Sequence, residues 1–229
     1  MLFEKIDYSK IPELAYKMPT FFVRNQDIDK TSYMNWRISP SEDLRTQFWE
    51  LAEGYLESAV CLIDICLQDN VGKRADIFIF PILFDIIHGI ELYLKAIIDY
   101  LNIVVNHSSK MKKGHNISSL CAEAMELLIK LQASDCSQEI KDSILCMTVV
   151  KNFISIILEK TDDMTFARYP ISAKDKEMFY AATAENVVVD LELLRENVVY
   201  LIKCFDMVTD FLLRYLDYLH ELKQENGYF

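Results

Sequence analysis

Four side chains of complementary chemistry are spread over three short stretches of this sequence. Glu91 and Lys95 lie in His88-Gly89-Ile90-Glu91-Leu92-Tyr93-Leu94-Lys95, His115 in Gly114-His115-Asn116-Ile117, and Arg168 in Phe166-Ala167-Arg168-Tyr169-Pro170. Glu91 and Lys95 stand four residues apart, in the order that favours an ion pair along a helix. His115 can fold back onto that helix, and Arg168 can reach the Glu91 carboxylate with both prongs of its guanidinium. Such a set can do one of two things. It can line a pocket for RNA or a nucleotide, with Lys95, His115 and Arg168 facing the ligand. Or it can be a buried polar network that fixes loops onto a helical body, with Tyr169-Pro170 as a rigid turn.

The elements that must position these residues read as helices. Apolar residues make up 52% of the 229, enough for a sizeable core, and Gly and Pro number only 5 each, so helix breakers are scarce. Residues 80–102 place Asp85, His88, Glu91, Lys95 and Asp99 in one arc of about 120°, at roughly 100° per residue. Nearly everything else on that helix is apolar. A helix buried around two-thirds of its girth is the central helix of a bundle. An earlier helix starts at Ser39-Pro40-Ser41-Glu42, a capping box with Pro at the first position, and runs to about 68. Further helices are expected over 117–132, 137–159 and 190–224, the last capped by Asp190. The region 161–189 is the least helical, with short strands over 164–170, 177–180 and 187–189 that would make a small β-hairpin.

Residues 1–38 are punctuated by Pro12 and Pro19 and carry Phe3, Tyr8, Phe21, Phe22, Tyr33 and Trp36. Hydrophobic anchors at that density predict an arm packed on the body and not a disordered tail. The fold class is therefore all-α: a bundle of about five long helices over 39–229, with an N-terminal arm over 1–38.

Charge and cysteines narrow the function classes. The 24 Lys and Arg against 35 Asp and Glu leave a net charge of −11. A chain this acidic does not bind nucleic acid through its overall field, so any RNA contact needs a local basic patch. The dense candidate is Lys110-Met111-Lys112-Lys113-Gly114-His115, which reads better as an ordinary solvated loop. The six cysteines show no Cys-x-x-Cys and no zinc spacing, so they read as small buried hydrophobes, and no metal or cofactor is expected. The apolar run 77–84 is too short to span a bilayer, and no signal peptide is visible at the start. A cytoplasmic protein without a membrane partner is the expectation.

Taken in order, His88, Glu91-Leu92 and Leu94-Lys95, then Gly114-His115-Asn116-Ile117, then Phe166 and Arg168-Tyr169-Pro170 resemble the HEPN superfamily of small helical proteins. More narrowly they look like a branch with an H-x-x-E-L-x-L-K helix, a G-H-[DN]-[IL] turn and an R-Y-P loop. The likeness spans residues 80–170, with the last helix fitting loosely to about 220. It implies an RNA-cleaving or RNA-binding component of a prokaryotic phage-defence or toxin system, a homodimer, and a protein partner from the same system. Many members of that superfamily are metal-independent endoribonucleases that pair an Arg with a His across four to six intervening residues. Arg214 and His220 match that spacing. Imidazole supplies a proton-transfer group near neutrality, and guanidinium a charge for the developing phosphate anion. On a straight helix the two would lie about 9 Å apart along the axis and about 120° apart around it, so they would have to converge at the helix end or across a dimer seam. Asp210, Asp217 and Glu221 stand at helical neighbour spacings from Arg214, which also fits a solvated salt-bridge face. The rival function is a non-catalytic helical module that scaffolds or inhibits a partner protein, and the acidic charge and apolar arm favour it.

Overall fold

The computed structural model describes residues 7–34, 43–109, 113–172 and 174–225. The chain divides into two compact units, Met1–Arg37 and Ile38–Phe229. In the first unit a helix α1 spans Ile11–Tyr16, with Pro12 in its first turn, and a 3-10 turn spans Ile28–Lys30. Asp27 caps that turn by accepting from the backbone N–H of Asp29. No described residue of this unit is buried. The anchors Phe3 and Trp36 lie outside the described residues.

The second unit is built from α2 (Leu44–Gln68), α3 (Ala75–Asn106), α4 (Ile117–Ser134), α5 (Gln138–Leu158) and α6 (Leu191–Glu225). Each helix packs against the next, and α6 returns to both α2 and α3, which closes the bundle with α3 against three neighbours. Among the described residues there is no strand, and the all-α expectation holds. The boundaries of α4, α5 and α6 fall within about two residues of their sequence signals. Asn116 caps α4 by accepting from Ser119, and Asp190 caps α6 by accepting from Leu193.

Three details differ from the sequence reading. First, α2 is capped by Asp43, which accepts from the Arg45 N–H, and the proposed box Ser39-Pro40-Ser41-Glu42 lies outside the described residues. Second, α3 begins at Ala75, five residues before the expected start, with Pro81 inside it. Its first N–H, on Ala75, is taken up by the Asn70 side chain. Third, the expected β-hairpin reduces to one antiparallel bridge, Ile171 to Glu177. Side-chain caps outcompete extension there. Asp163 accepts from the Thr165 N–H and hydroxyl and starts a helical turn through Arg168. The Tyr180 hydroxyl bonds the carbonyls of Phe166 and Tyr169 and ties the loop into a knot.

The core runs along α3. Residues 89–101 are buried without interruption, so this stretch of the helix is enclosed all round, beyond the two-thirds expected, while the turns before it, with Asp85 and His88, are only partly buried. Gly89 permits that enclosure. A Cβ there would stand 2.7 Å from the Leu56 Cγ and 3.1 Å from the Ala52 carbonyl, so α2 crosses α3 at backbone contact. By length and composition α3 would pass as a membrane span, yet half of its most apolar window is buried within the bundle.

Candidate functional site

Enclosing α3 means that its polar stripe must find partners inside the protein, because an unpaired buried charge is very costly. Each carboxylate of the stripe has donors. Asp85 accepts from the Ser58 hydroxyl of α2 at 2.8 Å. Asp99 meets the Arg45 guanidinium at 3.3 Å and the Ser109 hydroxyl at 3.0 Å. Glu91, only 6% exposed, accepts through a single oxygen, Oε1, from the Lys95 ammonium at 2.7 Å and from Nδ1 of His115 at 2.9 Å. His88 is clamped edge-on by Tyr55 and stacked on Phe84. Burial pushes its pKa down, aided by the Lys95 and Arg168 charges and opposed by Glu91 and Asp85, so the ring is neutral near pH 7.

The Gly-His-Asn-Ile turn explains how His115 reaches Glu91. Gly114 takes a φ of 123°, which a side chain would resist. Asn116 then fixes the first turn of α4, and Ile117 is fully buried in the core. His115 is held between those two constraints, facing back to α3. Its bond to a carboxylate, which can only accept, makes Nδ1 the donor, so that in a neutral ring Nε2 is the acceptor. The side chain is 84% exposed, so this second nitrogen is open to solvent.

Arg168 borders the same place by a different contact. No ion pair joins it to Glu91 among the described residues, and the expected bidentate bond is absent. Its guanidinium lies 5.7 Å from the ring centres of both Phe84 and Tyr169. Guanidinium on an aromatic face is favourable and leaves the N–H donors free for a ligand. The Phe166-Ala167 pair ahead of it is buried, whereas Tyr169 is 56% exposed. Phe84, His88, Glu91, His115, Thr165 and Arg168 line a pocket of about 170 Å³. On the other side of His115 opens a cleft of about 600 Å³, bordered by Asn116, Asp163, Lys174, Lys176 and Glu177. Hydrogen bonds from the Thr165 side chain and backbone hold the Asp163 pKa below the usual carboxylate range. Lys113 leads into His115 by sequence, while Lys110, Met111 and Lys112 lie outside the described residues.

The structure therefore brings Glu91, Lys95 and His115 into contact and sets Arg168 and Tyr169 at the edge of the same pocket. It does not unite Arg214 and His220. Both are exposed on one unbroken helix, α6, where a six-residue spacing cannot converge. Arg214 pairs with Glu139 of α5 at 3.1 Å and donates through Nε to the Asp210 carbonyl. Its partner thus comes from a neighbouring helix and not from the acidic residues at helical spacing on its own. With Asp135, Phe211, Tyr215 and Tyr218 it lines a separate pocket of about 290 Å³. Sequence reasoning missed the Arg45 and Ser109 partners of Asp99 and the aromatic clamp on His88. Arg45 comes from 54 positions away and Tyr55 from the preceding helix, so neither leaves a local pattern, whereas Phe84 stands one turn before His88 on the same helix and Ser109 only 10 residues beyond Asp99. Among the described residues no group of His, Cys, Asp and Glu is grouped to hold a metal ion.

No family model matches the chain, and no curated protein and no solved structure matches it either.

Proposed function

We propose that this protein acts on RNA at the junction of the two cavities, with His115 as the proton-transfer group and Arg168 as the charge for the phosphate. The observation that carries the reading is the bond from Nδ1 of His115 to the buried Glu91 carboxylate. A carboxylate that orients an imidazole, sets its tautomer and leaves Nε2 facing an open cleft is the arrangement a general base requires. Arg168, already stacked beside the pocket, has donors to spare for a phosphate. Nε2 would take the proton of a ribose 2′-hydroxyl, whose oxygen attacks the adjacent phosphorus. The bond to the 5′-oxygen breaks, that oxygen takes a proton from water, and a 2′,3′-cyclic phosphate remains. Tyr169 offers a face on which a base can stack. The HEPN resemblance supports the same class and a prokaryotic phage-defence or toxin setting in the cytoplasm. The weight on residues moves from Arg214 and His220 to His115 and Arg168.

A second reading has its own observation. Leu145 and Val149 on α5 and Tyr200 and Met207 on α6 are exposed on adjacent helices. That apolar face favours a bound chain, either a second copy, as the homodimer expectation has it, or a partner protein that this module scaffolds. The two readings separate in one assay. Purified protein is incubated with mixed-sequence RNA, with and without EDTA. The first reading expects cleavage unaffected by EDTA and lost in His115→Ala and Arg168→Ala. Absence of any cleavage or RNA binding by the intact protein leaves the scaffold reading.

A further inference from the structure

The pocket of about 290 Å³ beside Arg214 lies where α5 begins against α6, and it shares no residue with the His115 site. Part of its wall is aromatic. Phe211, Tyr215 and Tyr218 stand four and three residues apart, so they share one face of α6. The rings of Phe211 and Tyr215 have centres 5.5 Å apart and are tilted by 47°, and those of Tyr215 and Tyr218 are 6.4 Å apart and tilted by 56°. Rings at such angles make a folded wall and not a flat stack. Phe211, 3% exposed, roots the wall in the core, and Tyr218, 53% exposed, carries it to solvent. The rest of the lining holds two carboxylates and a hydroxyl. Glu139 is engaged by Arg214, whereas among the described residues no Lys, Arg or His pairs with Asp135. Ser137 starts α5 without capping it, and its Oγ is buried and has no hydrogen-bond partner.

We propose that this pocket binds the primary ammonium end of a short polyamine, which pairs with Asp135 and lies against the faces of Tyr215 and Tyr218. The lining selects that chemistry. An aromatic face attracts a cation held within about 6 Å of the ring centre, and a carboxylate forms a charge-assisted bond with an ammonium N–H. An alkylamine, like the lysine side chain, is protonated near neutrality. An anion is the wrong guest. The start of α5 carries a positive end, but Glu139 in its first turn and Asp135 just before it already offset that end, and the Arg214 guanidinium is committed to Glu139. A quaternary ammonium would satisfy the rings but has no N–H to give.

Ser137 supplies the second acceptor. A buried hydroxyl without a partner costs free energy that a ligand N–H recovers once the hydroxyl turns toward the cavity. Size and charge fit the rest of the guest. Pockets for drug-sized ligands run from about 300 to 1,000 Å³, so this one holds an end group and leaves the remaining chain outside. The further ammonium groups of a polyamine then lie over a protein of net charge −11, whose field also draws the ligand in.

The test titrates spermidine into the whole chain, freed of nucleic acid, by isothermal titration calorimetry at about 0.15 M salt, where diffuse attraction between exposed charges is largely screened. The expected result is one spermidine per chain. Asp135→Asn keeps an oxygen that can accept from the Ser137 N–H and should weaken binding about tenfold, as loss of a charge-assisted bond does. Tyr218→Leu keeps an apolar side chain but removes the ring face, and should weaken binding about threefold. Glu192→Gln removes the same charge from an exposed position roughly 30 Å back along α6 and should leave the affinity unchanged. Absence of binding, an unchanged affinity in Asp135→Asn, or an equal loss in Glu192→Gln overturns the site. Should Asp135→Asn lose its helical circular dichroism, Tyr218→Leu decides: unaltered affinity overturns the site, and weaker affinity upholds it.

Discussion

His115 is held by a carboxylate that solvent barely reaches, whereas His220 projects from the last turns of α6 and its companion, Arg214, is already engaged by Glu139. Both histidines are exposed, so exposure does not separate them. What differs is the partner. Glu91 is anchored by the core helix α3 and paired with Lys95, so it would stay in place during the proton transfer proposed for His115. Glu139 and Arg214 are both surface groups, 58% and 68% exposed, and their bond competes with water at every moment. A proton-transfer group is useful when its orientation is set in advance, and of these two regions the α3 end is the one that sets it.

The largest expected effect tests that asymmetry directly. Glu91→Ala strands the Lys95 ammonium in the core and should cost about 3 kcal/mol in chemical denaturation. A loss below 1 kcal/mol would mean that the stripe is wet and that His115 is not anchored. Next comes the crossing that seals the stripe. Gly89→Ala drives a methyl group into Leu56 and the Ala52 carbonyl and should cost about 1–3 kcal/mol. A neutral result would show that α2 and α3 stand further apart, which would open the pocket floor.

A pH profile sharpens the comparison further. His88 is a base whose folded pKa lies below its ordinary value of 6.5. The unfolded chain therefore binds the proton more readily. Stability contributed by His88 is complete above 6.5 and falls as pH drops below it, levelling off beneath the folded pKa. Denaturation midpoints measured across that window should decline on the acid side, and His88→Gln should flatten that part of the decline. An equal acid decline in His88→Gln would assign it elsewhere. The smallest effect belongs to the other site. Glu139→Ala should change stability by no more than about 0.5 kcal/mol, as exposed pairs do. A cost comparable to that of Glu91→Ala would erase the distinction between the two regions.

Much of this was legible before any coordinates. Helical spacing marks α4 and α6, with Asp190 as the cap of α6, and the four-residue offset of Glu91 and Lys95 predicts their pair. The meeting of His115 with Glu91 follows from complementary types. What was not legible depends on distant packing. Complementary charge places Arg168 on Glu91, yet it stacks beside Phe84, because Phe84 comes to it only when the loop after α5 folds over α3. Arg45 covers Asp99 from 54 positions away, at a spacing no local rule anticipates. Residues 164–170 look extended by their aromatic content, yet Asp163 and Tyr180 bend them through side-chain bonds that propensity does not count.

The central claim is that catalytic competence lies with the histidine that Glu91 holds. RNA cleavage should be compared in the intact protein, His115→Ala and His220→Ala, with circular dichroism to confirm that all three are folded. Replacing His220 should alter stability by no more than about 0.5 kcal/mol, while losing the His115 bond to the Glu91 carboxylate should cost about 1–3 kcal/mol and leave the fold intact. The account predicts that His115→Ala abolishes cleavage while His220→Ala retains it. Cleavage that survives in His115→Ala and vanishes in His220→Ala would contradict it and return the chemistry to α6.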